Sequence, residues 1–206
     1  MAVPAPDKQE IIDALDGAAR RFILMLRSIE DRSPVAVGHW TIGDVGAHVA
    51  WMSEEVYPGV VAGRGTSVTE ARGLDGIEEE SGRYLRDNPE RRPPPLAAQI
   101  ERGIQEVVEG LDSLDGDPEL TWHAGLRLPT TSIAAILLGE LLVHGWDIER
   151  AAGRTWSIER GDALLVSAGH LPLLPHYVDP ESSAEVRLAY EDNLRGLRFA
   201  LLFDRG

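Results

Sequence analysis

Cysteine is absent from this 206-residue chain. Disulfides, thiolate metal ligands and a cysteine nucleophile are therefore excluded. Basic residues are scarce, with 20 Lys and Arg against 34 Asp and Glu, for a formal charge of -14. A phosphate backbone requires a basic face, so nucleic acid is not an expected partner. The same charge gives no attraction to an anionic membrane surface. Long hydrophobic runs are also missing: Ile133 to Val143 is interrupted by Glu140 and falls short of a bilayer span. The start, Met1-Ala-Val-Pro-Ala-Pro, has neither the basic residues nor the apolar stretch of a signal peptide, and a cytoplasmic protein is expected. There is no repeat, no low-complexity tract and no evident Ser-His-Asp arrangement. Gly63-Arg-Gly65 neither follows a strand nor opens a clear helix, so it is no phosphate fingerprint.

What is present is helical periodicity. Ile12, Leu15, Ala19, Phe22, Leu26 and Ile29 recur at three- and four-residue steps behind Asp7, a candidate N-cap. After the Asp31–Gly38 linker, Thr41 can cap a second helix with Asp44 at its third position, and Tyr57-Pro-Gly is expected to end it. Gly59 to Thr69 reads as a loop and Glu70 to Arg86 as a weaker, charged helix. Four prolines between Asn88 and Pro95 break the chain before a third strong helix on Leu96, Ile100, Ile104, Val107, Leu111 and Leu114. Thr121 to Pro129 reads as extended or looped, anchored by Trp122 and Leu126. Thr131 or Ser132 is expected to cap the most apolar helix, which runs to about Ala152 and stops at Gly153.

The expected fold is mainly α, an antiparallel up-down four-helix bundle over residues 1–155. A short or incomplete C-terminal α/β segment, residues 156–206, should contain a short helix from Gly161 to Leu174. Strands at Glu185–Tyr190 and Leu197–Phe203 should pair around an Asp192-Asn193 turn.

Three polar residues interrupt the apolar stripes: His48 in the second helix, and Glu140 and His144 in the last. A buried carboxylate is costly unless a positive charge answers it, and Thr130 to Ile148 contains no Lys or Arg. Glu140 and His144 are four apart and share one face. With His48 on a facing helix, they would hold a divalent metal from one side and leave the other open, as catalytic sites do. Such an ion would lower the pKa of a bound water or hold a thiolate. The bland alternatives are a satisfied core histidine and a helical Glu–His hydrogen bond.

Other polar groups carry weaker signals. His39 would only fix a turn, His123 reads as a surface loop residue, and His170 and His176 have no ligand spacing. Trp51 and Trp146 read as core or pocket wall. Asp147 would either orient an imidazole or pair with Arg150 in solvent. Glu78-Glu79-Glu80 reads as a solvated face. Arg83 and Arg127 are candidate carboxylate or cofactor anchors, because guanidinium suits bidentate recognition.

Trp40-Thr-Ile-Gly-Asp-Val-Gly-Ala-His48-Val-Ala and Gly139-Glu140-Leu-Leu-Val-His144-Gly-Trp-Asp147 resemble the two hallmark motifs of mycothiol-dependent maleylpyruvate isomerase-like proteins, within the DinB-like metalloenzyme superfamily. The resemblance covers about residues 7 to 155, and the tail resembles the beginning of that family's smaller C-terminal domain. It implies a DinB-like bundle that holds zinc through His48, Glu140 and His144. It also implies use of mycothiol, the actinobacterial thiol, to attack a small electrophilic substrate such as maleylpyruvate, for isomerisation or S-transfer. The expected partners are thus a small-molecule thiol and an electrophile, with no nucleic acid and no membrane, and a homodimer is among the expected assemblies. Two other classes stand beside this one: a non-catalytic ligand-binding or stress-response protein, and a metal-dependent hydrolase.

Overall fold

Asp7 caps the first helix as expected, accepting hydrogen bonds from the backbone N–H groups of Gln9 and Glu10. A computed structural model describes residues 6–66, 75–173, 186–192 and 197–203. Helix α1 (Lys8–Arg27) leads through a small hairpin, β1 (Val35–Val37) with β2 (Trp40–Thr41), into α2 (Ile42–Trp51). Thr41 and Asp44 form a full capping box, each side chain bonding the other's backbone N–H. Two further helices, α3 (Tyr57–Val61) and α4 (Asp75–Asp87), precede α5 (Pro93–Ser113). Strands β3 (Glu119–Thr121) and β4 (Arg127–Pro129) pair antiparallel ahead of α6 (Thr130–Ala151).

Helices α1, α2–α3, α5 and α6 form the bundle, and Leu15, Phe22, Ile42, Tyr57, Ile100 and Leu137 are among the side chains sealed at its centre. Each of α1 and α2 packs on both α5 and α6, so α1 faces α2 across the diagonal. Directions follow from the close approaches. Gly46 lies by Leu96, Gly103 by Ser53 and Gly110 by Val61, so α2–α3 and α5 run parallel. Lys8 reaches the carbonyls of Leu111 and Leu114, while Arg27 pairs with Glu101, so α1 and α5 run antiparallel. Arg154, just past α6, bonds Ser28, just past α1, so those two run parallel and the order is up, down, down, up rather than strict alternation; the connection through α4 brings the chain from the end of α3 back beside the start of α2 before α5 begins.

Tyr57-Pro-Gly does not end the second helix. A π-helical turn (Met52–Val56) carries it into α3. The Tyr57 N–H bonds the Met52 carbonyl in this wider register, which places Pro58 at a helix start, where a missing N–H is tolerated. The turn presses on α5, where a methyl group at Gly103 would overlap the Ser53 carbonyl and come within 2.6 Å of the Glu54 Cα. Likewise Pro93–Pro95 form the first turn of α5 rather than a break before it, since first-turn N–H groups have no intrahelical partner. Neither Thr131 nor Ser132 caps α6. Asp117 accepts from the Thr131 N–H at 2.9 Å, so the cap comes from the preceding loop.

By length and composition α6 could cross a membrane, yet 78% of its most apolar window is buried inside the protein, as in a core helix. Helix α7 (Arg160–His170) packs on α6. Strands β5 (Val186–Asp192) and β6 (Leu197–Phe203) pair antiparallel as expected, from Val186 with Phe203 to Asp192 with Leu197. Glu185 and Asn193 of the expected hairpin, and residues 67–74 of the expected loop and helix, lie outside the described residues.

Gly103→Ala should cost about 2–4 kcal/mol in urea unfolding, because a backbone-to-backbone approach cannot relax around a methyl group. Gly17→Ala, exposed in α1 with no atom within 4 Å of the added carbon, should stabilise by about 0.5–1 kcal/mol. Equal effects at the two positions would contradict this packing.

Candidate metal centre

His48 sits in the second turn of α2, whose start is fixed by the Thr41 capping box, while Glu140 and His144 lie one above the other on α6. The two helices pack together, and the three side chains meet. Glu140 Oε2 is 3.4 Å from His48 Nε2 and 3.2 Å from His144 Nε2, and the three candidate donor atoms all lie within 4.8 Å of one another. The imidazole planes are nearly perpendicular, with centroids 5.3 Å apart.

Asp147 chooses between its two expected roles. It is buried and accepts a hydrogen bond from His144 Nδ1 at 3.1 Å, which leaves Nε2 turned toward Glu140. Arg150 instead donates to the Ala36 carbonyl and lies over the Trp146 ring. Trp146 is thus a partly exposed surface residue rather than core, whereas Trp51 is core and stacks on Tyr84 at 4.8 Å. Trp40 leans on the His48 ring at 5.1 Å. The Nδ1 atom of His48 is buried and has no hydrogen-bond partner among the described residues.

Burial opposes ionisation of Glu140, but hydrogen bonds from His144 and His48 outweigh it and hold the carboxyl well below the usual carboxylate range. Burial likewise opposes a charged His144, and Asp147 and Glu140 together override it, pushing the imidazole up to about 9. Among the described residues no Lys or Arg is paired with Glu140; two imidazoles take that place. The donor chemistry fits a divalent cation: two imidazole nitrogens and one ionised carboxylate converge. Exposure rises from His48 (8%) through His144 (17%) to Glu140 (23%), so the cluster can be reached from one side.

Of the three, His144 lines a cavity of about 590 Å³, together with Trp40, His39 and the α4 residues Glu78, Glu79, Gly82 and Arg86. A second cavity, about 460 Å³, lies between Trp51, Tyr84, Glu80 and Arg83. Glu80 therefore departs from the expected solvated face: it is buried and paired with Arg83, while Glu78 and Glu79 stay exposed. Arg83 lines the second cavity. Arg127 donates to the Glu119 carbonyl within its own hairpin and lines neither cavity. His39 occupies the β1–β2 turn and also faces the first cavity. His170 bonds the Val166 carbonyl, and His176 lies outside the described residues.

The fold and site together define a helical-bundle protein with a histidine–carboxylate cluster suited to a divalent cation. A family model, the mycothiol maleylpyruvate isomerase N-terminal domain, matches residues 12–149, and the chain belongs to that family. No curated protein and no solved structure matches the chain.

His123 corrects the sequence reading most clearly. It is 2% exposed, packed edge-on against Trp122, and neither ring nitrogen has a partner among the described residues. Desolvation lowers its pKa to about 4 against the attraction of Glu140 and Glu80. The unfolded chain binds this proton near the ordinary value of 6.5, so His123 contributes its full stability above that pH. The contribution falls away as the pH drops from 6.5 toward 4. The stability of wild type relative to His123→Phe should therefore fall by roughly 3 kcal/mol from pH 7 to pH 4 in urea titrations. A difference independent of pH would contradict the buried neutral ring.

Proposed function

We propose that this protein is a cytoplasmic, metal-dependent and mycothiol-dependent isomerase or thiol S-transferase acting on a small electrophilic substrate such as maleylpyruvate. The reading rests on one observation, the convergence of His48, Glu140 and His144 within 4.8 Å in a chain of the mycothiol maleylpyruvate isomerase family. These three residues would hold the ion, which we take to be zinc. Bound there, a divalent cation lets a thiol or water react as its anion at neutral pH. Asp147 fixes the His144 tautomer, and Trp40 and Trp51 exclude water from the His48 side. The 590 Å³ cavity has the volume of a small-molecule site. With no cysteine in the chain, the nucleophilic sulfur must come from a separate thiol.

Metal analysis of purified protein tests this directly. Wild type should retain a stoichiometric divalent ion, and His48→Ala and Glu140→Ala should each lose it. Asp147→Asn should weaken metal binding roughly 10- to 100-fold without removing a ligand. Equally low metal in wild type and both alanine variants would remove the basis of the enzyme reading. Titrating mycothiol into cobalt-loaded protein should change its visible spectrum; an unchanged spectrum at saturating thiol would favour a hydrolase or a binding protein.

A further inference from the structure

Six large hydrophobic side chains are exposed among the described residues, and four of them, Val35, Val37, Val143 and Trp146, gather in one place. In β1 the alternation turns Ala36 inward and leaves Val35 and Val37 on the outer face. Val143 and Trp146 are three apart and share one face of α6, and the only other exposed residue of that helix is Arg150. Strand β1 packs on α6, and Arg150 joins the two. Its guanidinium donates to the Ala36 carbonyl at 2.7 Å and lies over the Trp146 ring, which it holds in place without covering. This shelf runs into the cavity beside His144, because Val37 lines that cavity and Val143 immediately precedes His144. Trp40 continues the apolar side inward, whereas the α4 side is polar.

Single exposed hydrophobic residues are ordinary; a contiguous group at the edge of a cavity marks a binding surface. Four partly exposed side chains fall well short of the roughly 800 Å² per partner that a stable protein interface buries. A small molecule seated beside His144 meets the shelf directly, since Val37 belongs to both. We propose that this site takes an electrophile bearing an apolar arm, an aryl or branched alkyl group that leaves the cavity over Val37 and rests on Val143 and Trp146. The reactive end then lies beside His144, and the arm sets selectivity by its apolar area. This substrate class rests on reading the histidine–carboxylate cluster as the reactive centre, but the shelf contains none of the three candidate ligands.

The test compares 4-fluorocrotonanilide with N-methylcrotonamide, which share a crotonamide head and differ in the arm. Binding is followed by ligand-observed NMR on metal-free and zinc-loaded protein. Wild type should bind the anilide roughly tenfold more tightly in both forms, as burying about 60 Å² of its ring predicts. Val37→Ser and Trp146→Ser should each cut that preference about threefold, with zinc content and N-methylcrotonamide binding unchanged. Leu24→Ser, at an exposed apolar position on α1, should leave the preference intact. The fluorine resonance should shift on binding to wild type, through the indole ring current, and lose most of that shift in Trp146→Ser. A preference that survives both shelf variants overturns the proposal, as does a wild type that binds the two probes equally or binds neither. Sedimentation of wild type as a dimer that Trp146→Ser converts to a monomer also overturns it, making the shelf an interface between copies. If zinc is not retained but the shelf-dependent preference persists, the metal reading fails and the apolar-arm site stands. If zinc is retained and the preference is absent, the metal reading stands and the apolar-arm site fails.

Discussion

A carboxylate placed on the long apolar helix α6, answered among the described residues by two imidazoles, is the constraint around which this protein is organised. Nearly every neighbour of Glu140 on α6 is buried and apolar. The arginines at the end of that helix are engaged elsewhere, Arg150 on the Ala36 carbonyl and Arg154 on Glu149. Stabilising the carboxylate therefore falls to His144 on the same face and to His48 across the helix–helix contact. Such an arrangement is sensitive to small displacements, because a buried charge that loses its partner costs several kcal/mol. The devices that fix α2 thus bear on the site directly: the Thr41–Asp44 capping box, the close approach of Gly46 to Leu26, and the seating of the π-helical turn on Gly103.

The same geometry gives the cluster a closed side and an open one. His48 is walled by Trp40 and Trp51, and Asp147 holds the outer nitrogen of His144. His144 also lines a cavity shared by the β1–β2 hairpin and α4, the most acidic helix. A rigid apolar floor beneath a polar, shaped opening is the combination expected where a small molecule must be oriented against a fixed group.

Much of this was legible in the residues. The three- and four-step spacing marked α1, α2, α5 and α6, and Asp7 and Thr41 announced their caps. Glu140, His144 and His48 stood out because polar groups on apolar stripes demand a partner. What the sequence hid depends on tertiary contacts. Pro58 reads as a stop, and only a π-helical register supported by Gly103 carries the helix past it. The parallel run of α2 and α5 follows from the path of the connection, which local periodicity does not encode. His123 reads as a loop residue, but its hairpin folds it into the core.

X-ray absorption at the zinc edge of the zinc-loaded protein tests the central claim most directly. A mixed shell of two imidazole nitrogens and carboxylate oxygen at about 2.0–2.2 Å is the predicted result. A shell without imidazole scattering, or with a single imidazole, would contradict it.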